Sequence, residues 1–163
     1  MMIHDFDLAR YYAGKDEFVS IFATGSNISN KYFNKLKDFE LATAILKTKN
    51  GVQCIISNSR HCSFGYDQRV ELFGSKGMII SDNIKENEIS LYSNKCTNAR
   101  SSFKHFFIER YDQAYKEQLN DLAKLFRSNF RPKSGFIDGK ISIQIAECAI
   151  RSLKSKKFEN IKY

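Results

Sequence analysis

Few side chains in this sequence could carry acid–base chemistry. His4 opens a segment of helical spacing, and an imidazole there suits proton transfer. Imidazole as a side-chain type both accepts and releases protons under ordinary conditions, which is what a general base needs. Taken alone, His4 reads more readily as a disordered terminal side chain. Asp5 and Asp7 fall in the first turn, where a carboxylate stabilises the helix dipole. Tyr66 follows Gly65 near the entrance of an extended segment. A phenol held there can donate to a hydroxyl-rich ligand and offers an apolar ring edge. Arg60 and Asp67 are weaker candidates, explained at least as well by a salt bridge.

Cys54, Cys62, Cys96 and Cys148 are widely spread with no C-x-x-C pair, so reduced thiols are expected and no metal site. His61 beside Cys62 makes no ligand pair, because adjacent strand residues point to opposite faces.

The elements that must position these groups are read from periodicity. His4 to Ala13 reads as a short helix with Gly14 just past its end. Glu17 to Thr24 is β-branched and aromatic, and the polar stretch Gly25 to Asp38 reads as a loop. Glu40 to Thr48 and Val52 to Ser59 flank Asn50-Gly51, which predicts a hairpin with a type I′ turn. Gln68 to Phe73, Met78 to Ser81 and Ile89 to Tyr92 complete six strands without intervening helices, hence a mostly antiparallel sheet. The period then changes: Tyr111, Tyr115, Leu119, Leu122 and Phe126 define one helix, and Ile141, Ile145, Cys148 and Ser152 another, with Asp138 placed to cap it. Phe106, Phe107, Tyr111 and Tyr115 are expected in the core. The fold class is α+β, helices on one face of about six strands. The open face is expected to meet another copy of the chain, giving a homo-oligomer.

With 163 residues and a single proline, residues 1–163 are expected to form one domain without an internal linker. At 42% hydrophobic and 27% charged residues the chain is too apolar for disorder. No apolar run approaches the ~20 residues of a membrane span, and the first residues lack a secretory pattern, so no membrane partner and a cytoplasmic location are expected. The net charge of +8 raises a polyanion-binding module as a rival. The basic residues, Lys31, Lys35, Arg60, Arg69 and Lys104 among them, are scattered, so nucleic acid is not the expected partner.

Ile3-His4-Asp5-Phe6-Asp7, Phe64-Gly65-Tyr66-Asp67-Gln68-Arg69-Val70-Glu71 running to Phe73-Gly74-Ser75-Lys76-Gly77, Phe106-Phe107-Ile108-Glu109-Arg110-Tyr111 with Ala114-Tyr115, and Asp138-Gly139 occur in one order. Together they resemble the Gfo/Idh/MocA family of NAD-dependent dehydrogenases, in particular its inositol 2-dehydrogenases, over nearly the whole chain. The resemblance implies the C-terminal, substrate-side domain, with the Rossmann domain, its Gly-rich loop and the catalytic lysine absent from this chain. It implies a cyclic polyol or sugar as substrate and NAD or NADP as cofactor of the intact enzyme, with none bound by this chain, which is expected to be inactive alone. In the family string Asp-x-x-x-His-x-x-Asp, His4 matches the histidine that takes the substrate hydroxyl proton. Asp7 matches the last acid, a hydrogen-bond partner for a substrate hydroxyl, and the first aspartate would fall before Met1. Tyr66 is the further substrate-binding candidate; Phe64 departs from the tyrosine frequent in relatives. The alternative is a non-catalytic oligomerisation or polyanion-binding module.

Overall fold

The computed structural model describes residues 1–30 and 32–163, leaving Lys31 outside the described residues. In chain order its elements are α1 (Ile3–Ala13), β1 (Phe18–Ser26), α2 (Tyr32–Lys35), β2 (Leu41–Thr48), β3 (Gln53–Ser59), β4 (Val70–Gly74), β5 (Gly77–Ser81), β6 (Ser90–Leu91), β7 (Ala99–Arg100), α3 (Phe107–Arg110), α4 (Asp112–Arg127), α5 (Phe136–Ser155) and β8 (Glu159–Asn160). They fall into two units, Met1–His61 with Pro132–Tyr163, and Cys62–Arg131.

In the first unit β3, β2, β1 and β8 form one antiparallel sheet in that order. Strand periodicity sends Ile21, Ala23, Ala44, Leu46 and Ile56 to one face, where Phe6 of α1 and Ile145, Cys148 and Ala149 of α5 cover them. Each fully buried aliphatic or aromatic side chain there stabilises the unit by roughly 1.5–3 kcal/mol. Three alanines in this core let α5 lie close across β1. The opposite face alternates Phe22, Ile45 and Ile55 with Ser20, Thr24, Thr43 and Ser57, and Ile55 is 71% exposed.

The β2–β3 hairpin forms as expected, but not with a type I′ turn. Only Gly51 has positive φ, at 93°. The Gly51 N–H donates to Thr48 O at 3.1 Å and the Thr48 N–H to Val52 O at 2.9 Å, which closes a three-residue loop, Lys49 to Gly51. The buried Thr48 hydroxyl accepts the Val52 N–H at 2.8 Å and secures this longer turn. The stretch Gly25 to Asp38 is not wholly irregular either, since it contains the single turn of α2. Asn27 organises it by accepting the Glu40 N–H at 2.6 Å and donating to Asp38 O at 3.0 Å.

The antiparallel α+β class holds, while the strands are shared out differently from one six-stranded sheet. Among the described residues β4 pairs only with β5, and β6 with β7. The fourth strand of the main sheet is β8, whose two residues carry no readable period. Among the described residues it pairs with Ser20 and Ile21 and stops short of Ala23, whose N–H further along β1 would otherwise be orphaned. The fully buried Ser152 hydroxyl accepts that N–H at 3.0 Å and donates to Lys157 O at 2.6 Å.

In the second unit the loop before β4 is tied down by its backbone. The Tyr66 N–H donates to Lys104 O at 2.9 Å, and the Gln68 N–H to Oδ1 of buried Asn83 at 2.7 Å. Helix α4 carries the expected stripe of Tyr115, Leu119, Leu122 and Phe126, which is exposed rather than buried. Phe106 and Phe107 touch each other at 4.4 Å between ring centroids but are also exposed, contrary to their expected core placement. A unit of this size built on two short ribbons has too little interior for them. Among the described residues no helix is long and apolar enough to cross a membrane.

Candidate functional site

Helix α1 presents His4 and Asp7 three residues apart, hence on one face. The His4 imidazole is exposed. Its neighbour Asp5 turns the other way and accepts a hydrogen bond from Asn58 Nδ2 on β3 at 3.0 Å, which ties the first turn to the sheet edge. Cys54, on the same strand, has its thiol pushed up by burial and then by the Asp5 charge, so it is an inert thiol. Cys54, Cys62, Cys96 and Cys148 are free thiols, Cys148 buried and the other three half-buried.

Asp7 is more constrained than a first-turn acid facing solvent. Its Oδ1 accepts from Arg10 Nη1 at 3.1 Å and lies 3.4 Å from the hydroxyl of buried Ser142; its Oδ2 lies 3.4 Å from the Ser134 hydroxyl. Arg10 also donates through Nη2 to Asp138 Oδ1 at 3.2 Å and through Nη1 to Asp138 O at 3.3 Å. Asp138 sits at the third position of α5 rather than at its cap, and its Oδ2 reaches back to the Gly135 N–H at 2.8 Å. That N–H, and then the Arg10 guanidinium, hold the Asp138 carboxyl below the usual aspartate range. Spacing alone could have suggested Arg10, since Asp7-x-x-Arg10 is a helical ion pair. Ser134, Ser142 and Asp138 carry no such signal, because they join α1 from more than a hundred positions away in sequence.

Tyr66 belongs to the second unit. Gly65 before it adopts φ 120°, and a Cβ there would stand 2.8 Å from Phe103 O. This residue therefore has to be glycine, and it sets the direction in which Tyr66 leaves the backbone. The Tyr66 ring meets Tyr111 edge-on at 5.7 Å, and the Tyr111 hydroxyl donates to Gln68 Oε1 at 2.6 Å. The two weaker candidates are in salt bridges. Asp67 accepts from Arg69 at 2.8 and 2.9 Å, and Arg60 pairs with Asp38. His61 lies 3.4 Å from Glu40, and among the described residues no group of three or more His, Cys, Asp or Glu could hold a metal ion.

A dinucleotide pyrophosphate is ordinarily cradled where a strand runs through a Gly-rich turn into a helix N-terminus. The described residues do not fit that role. The strands here are joined in antiparallel succession, and the α5 N-terminus, preceded by Gly135, is already occupied by the Asp138 carboxylate.

Comparison with known proteins identifies the family. Residues 1–80 match the GFO/IDH/MocA C-terminal domain. The chain is 38% identical over 157 residues to the myo-inositol 2-dehydrogenase of Thermotoga maritima, covering 96% of this chain and 46% of that protein. It is 27% identical to the scyllo-inositol 2-dehydrogenase (NAD(+)) of Bacillus subtilis, covering 94% of this chain and 44% of that protein. The crystal structure of a myo-inositol dehydrogenase from Corynebacterium glutamicum superposes with a TM-score of 0.93 at 34% identity, over 100% of this chain and 48% of the other. The chain belongs to the GFO/IDH/MocA family and corresponds to its C-terminal domain. It spans about half the length of the curated relatives it matches.

Proposed function

We propose that this chain is the substrate-side part of an inositol 2-dehydrogenase, which oxidises a ring hydroxyl of a cyclic polyol to a ketone. The observation that carries the reading is the match to the Thermotoga maritima enzyme over 96% of the chain. The placement of His4 and Asp7 on one face of α1 supports it. His4 takes the proton of the reacting hydroxyl on an imidazole nitrogen, Asp7 accepts a hydrogen bond from a neighbouring hydroxyl, and Tyr66 donates to another. NAD is the proposed two-electron acceptor of the whole enzyme, in line with the NAD(+)-dependent relative. It is bound outside the residues described here, so calorimetry of this chain with NADH is expected to show no single-site micromolar binding.

The test is inositol-dependent NADH formation by the whole enzyme that contains this chain. Replacing His4 by Gln is expected to lower kcat by about 10²- to 10⁴-fold, the usual contribution of a general base, with KM little changed. A His4→Gln enzyme within about twofold of wild type would remove His4 from the chemistry.

A further inference from the structure

Asp7 is the one candidate substrate ligand whose carboxylate is already held on one side. Arg10 grips Oδ1 at 3.1 Å, and the hydroxyl of buried Ser142 stands on the same oxygen at 3.4 Å. Ser142 makes its shorter bond, 2.9 Å, to Asp138 O, so its proton goes there and Arg10 is the main donor to Asp7. Arg10 is itself immobilised by the second carboxylate, receiving Asp138 Oδ1 on Nη2 at 3.2 Å, while Asp138 is fixed by the Gly135 N–H at 2.8 Å. One guanidinium thus bridges two carboxylates from α1 and the first turn of α5, with its side chain only 20% exposed. Among the described residues the other oxygen of Asp7, Oδ2, has only the long contact to the Ser134 hydroxyl at 3.4 Å. A carboxylate gripped on one oxygen and open on the other is a directed acceptor, since its plane no longer rotates freely.

We propose that Arg10 is a positioning residue of the polyol site: it locks Asp7 through Oδ1 so that Oδ2 receives a hydrogen bond from a substrate hydroxyl. The inference rests on the reading of Asp7 as a ligand for a polyol hydroxyl. Arg10 touches no substrate, and Asp138 acts one step further back by fixing the guanidinium. A lysine in its place reaches one carboxylate as a point charge but cannot fork between two.

The experiment measures kcat and KM for myo-inositol in the whole enzyme carrying Arg10→Met, Arg10→Lys, Asp7→Asn and Asp7→Asn with Arg10→Met, with a melting curve for each. Arg10→Met is expected to raise KM about ten- to hundredfold, the size of one lost charge-assisted hydrogen bond, with kcat changed far less. Arg10→Lys should fall between it and wild type, and it keeps the test open if the Met variant does not fold. The double variant should be no worse than Asp7→Asn alone, because the two residues act as one unit. If the Arg10 variants only melt lower while KM stays within about twofold of wild type, Arg10 is a plain tie between helices and the inference is overturned. If Asp7→Asn itself leaves KM unchanged, the ligand reading of Asp7 fails first and takes the inference with it.

Discussion

Ser152 offers the clearest test of how the main sheet is completed. Its hydroxyl accepts the Ala23 N–H at 3.0 Å and donates to Lys157 O at 2.6 Å, and the residue is 0% exposed. Ser152→Ala removes both partners at once and leaves too small a void for water to enter. Each buried group left without a partner costs about 1–3 kcal/mol, so the pair is worth roughly 2–4 kcal/mol once partial relaxation is allowed. For a chain of this length that is a fall in melting temperature of roughly 5–15 °C. Urea unfolding gives the free energy, and amide hydrogen exchange locates it, since the Ala23 N–H should lose protection before the rest of β1. A variant within about 0.5 kcal/mol of wild type, with Ala23 protection intact, would refute the argument that this hydroxyl stands in for a missing strand partner.

Glu40 supplies a pH dependence: the Ser29 hydroxyl, with the N–H groups of Ile28, Ser29 and Asn30, draws its carboxyl down from 4.5 to about 2 against the opposing effect of burial. The lowered value means its stabilisation is complete above about 4.5 and is lost as pH falls through about 2. Glu40→Gln should therefore be less stable than wild type in urea at neutral pH, with the gap closing in that acid window. Gly65→Ala, which forces a Cβ to 2.8 Å from Phe103 O at φ 120°, should lower stability by about 1–3 kcal/mol or more, read by circular dichroism. If the outer face of the main sheet joins two copies of the chain, light scattering will report at least a dimer and Ile55→Lys, at a position 71% exposed, will give monomers. A wild-type monomer would remove that interface.

What could be read from the amino acids was the part governed by near neighbours. α1 and α5 follow from apolar spacing, the β2–β3 hairpin from the Asn50-Gly51 pair between two apolar runs, and β1 from its β-branched and aromatic composition. The two-residue β8 escaped because pairing at Ser20 and Ile21 comes from chain geometry and not from any pattern in Glu159 and Asn160. The Asn50-Gly51 pair suggested the commonest turn, and the Thr48 side chain selected another. His4, Asp7 and Tyr66 are proposed from motif order, whereas the Arg10 bridge to Asp138 depends on a fold that brings distant segments together.

The first unit is discontinuous: Met1–His61 acquires α5 and β8 only after the whole of Cys62–Arg131 has intervened. During synthesis on the ribosome, β1 to β3 would emerge with one face of the sheet covered by α1 alone and the Ala23 amide unmet, because its partner Ser152 lies 129 positions downstream. Closing that loop carries an entropic cost that rises only slowly with length, yet it makes folding of this unit a late, high-contact-order event. The nascent β1–β3 stretch is then the part most in need of chaperone protection, and mutations at the buried α5 residues Ile145, Cys148 and Ser152 should show first as lost yield in the cell rather than as lost catalysis.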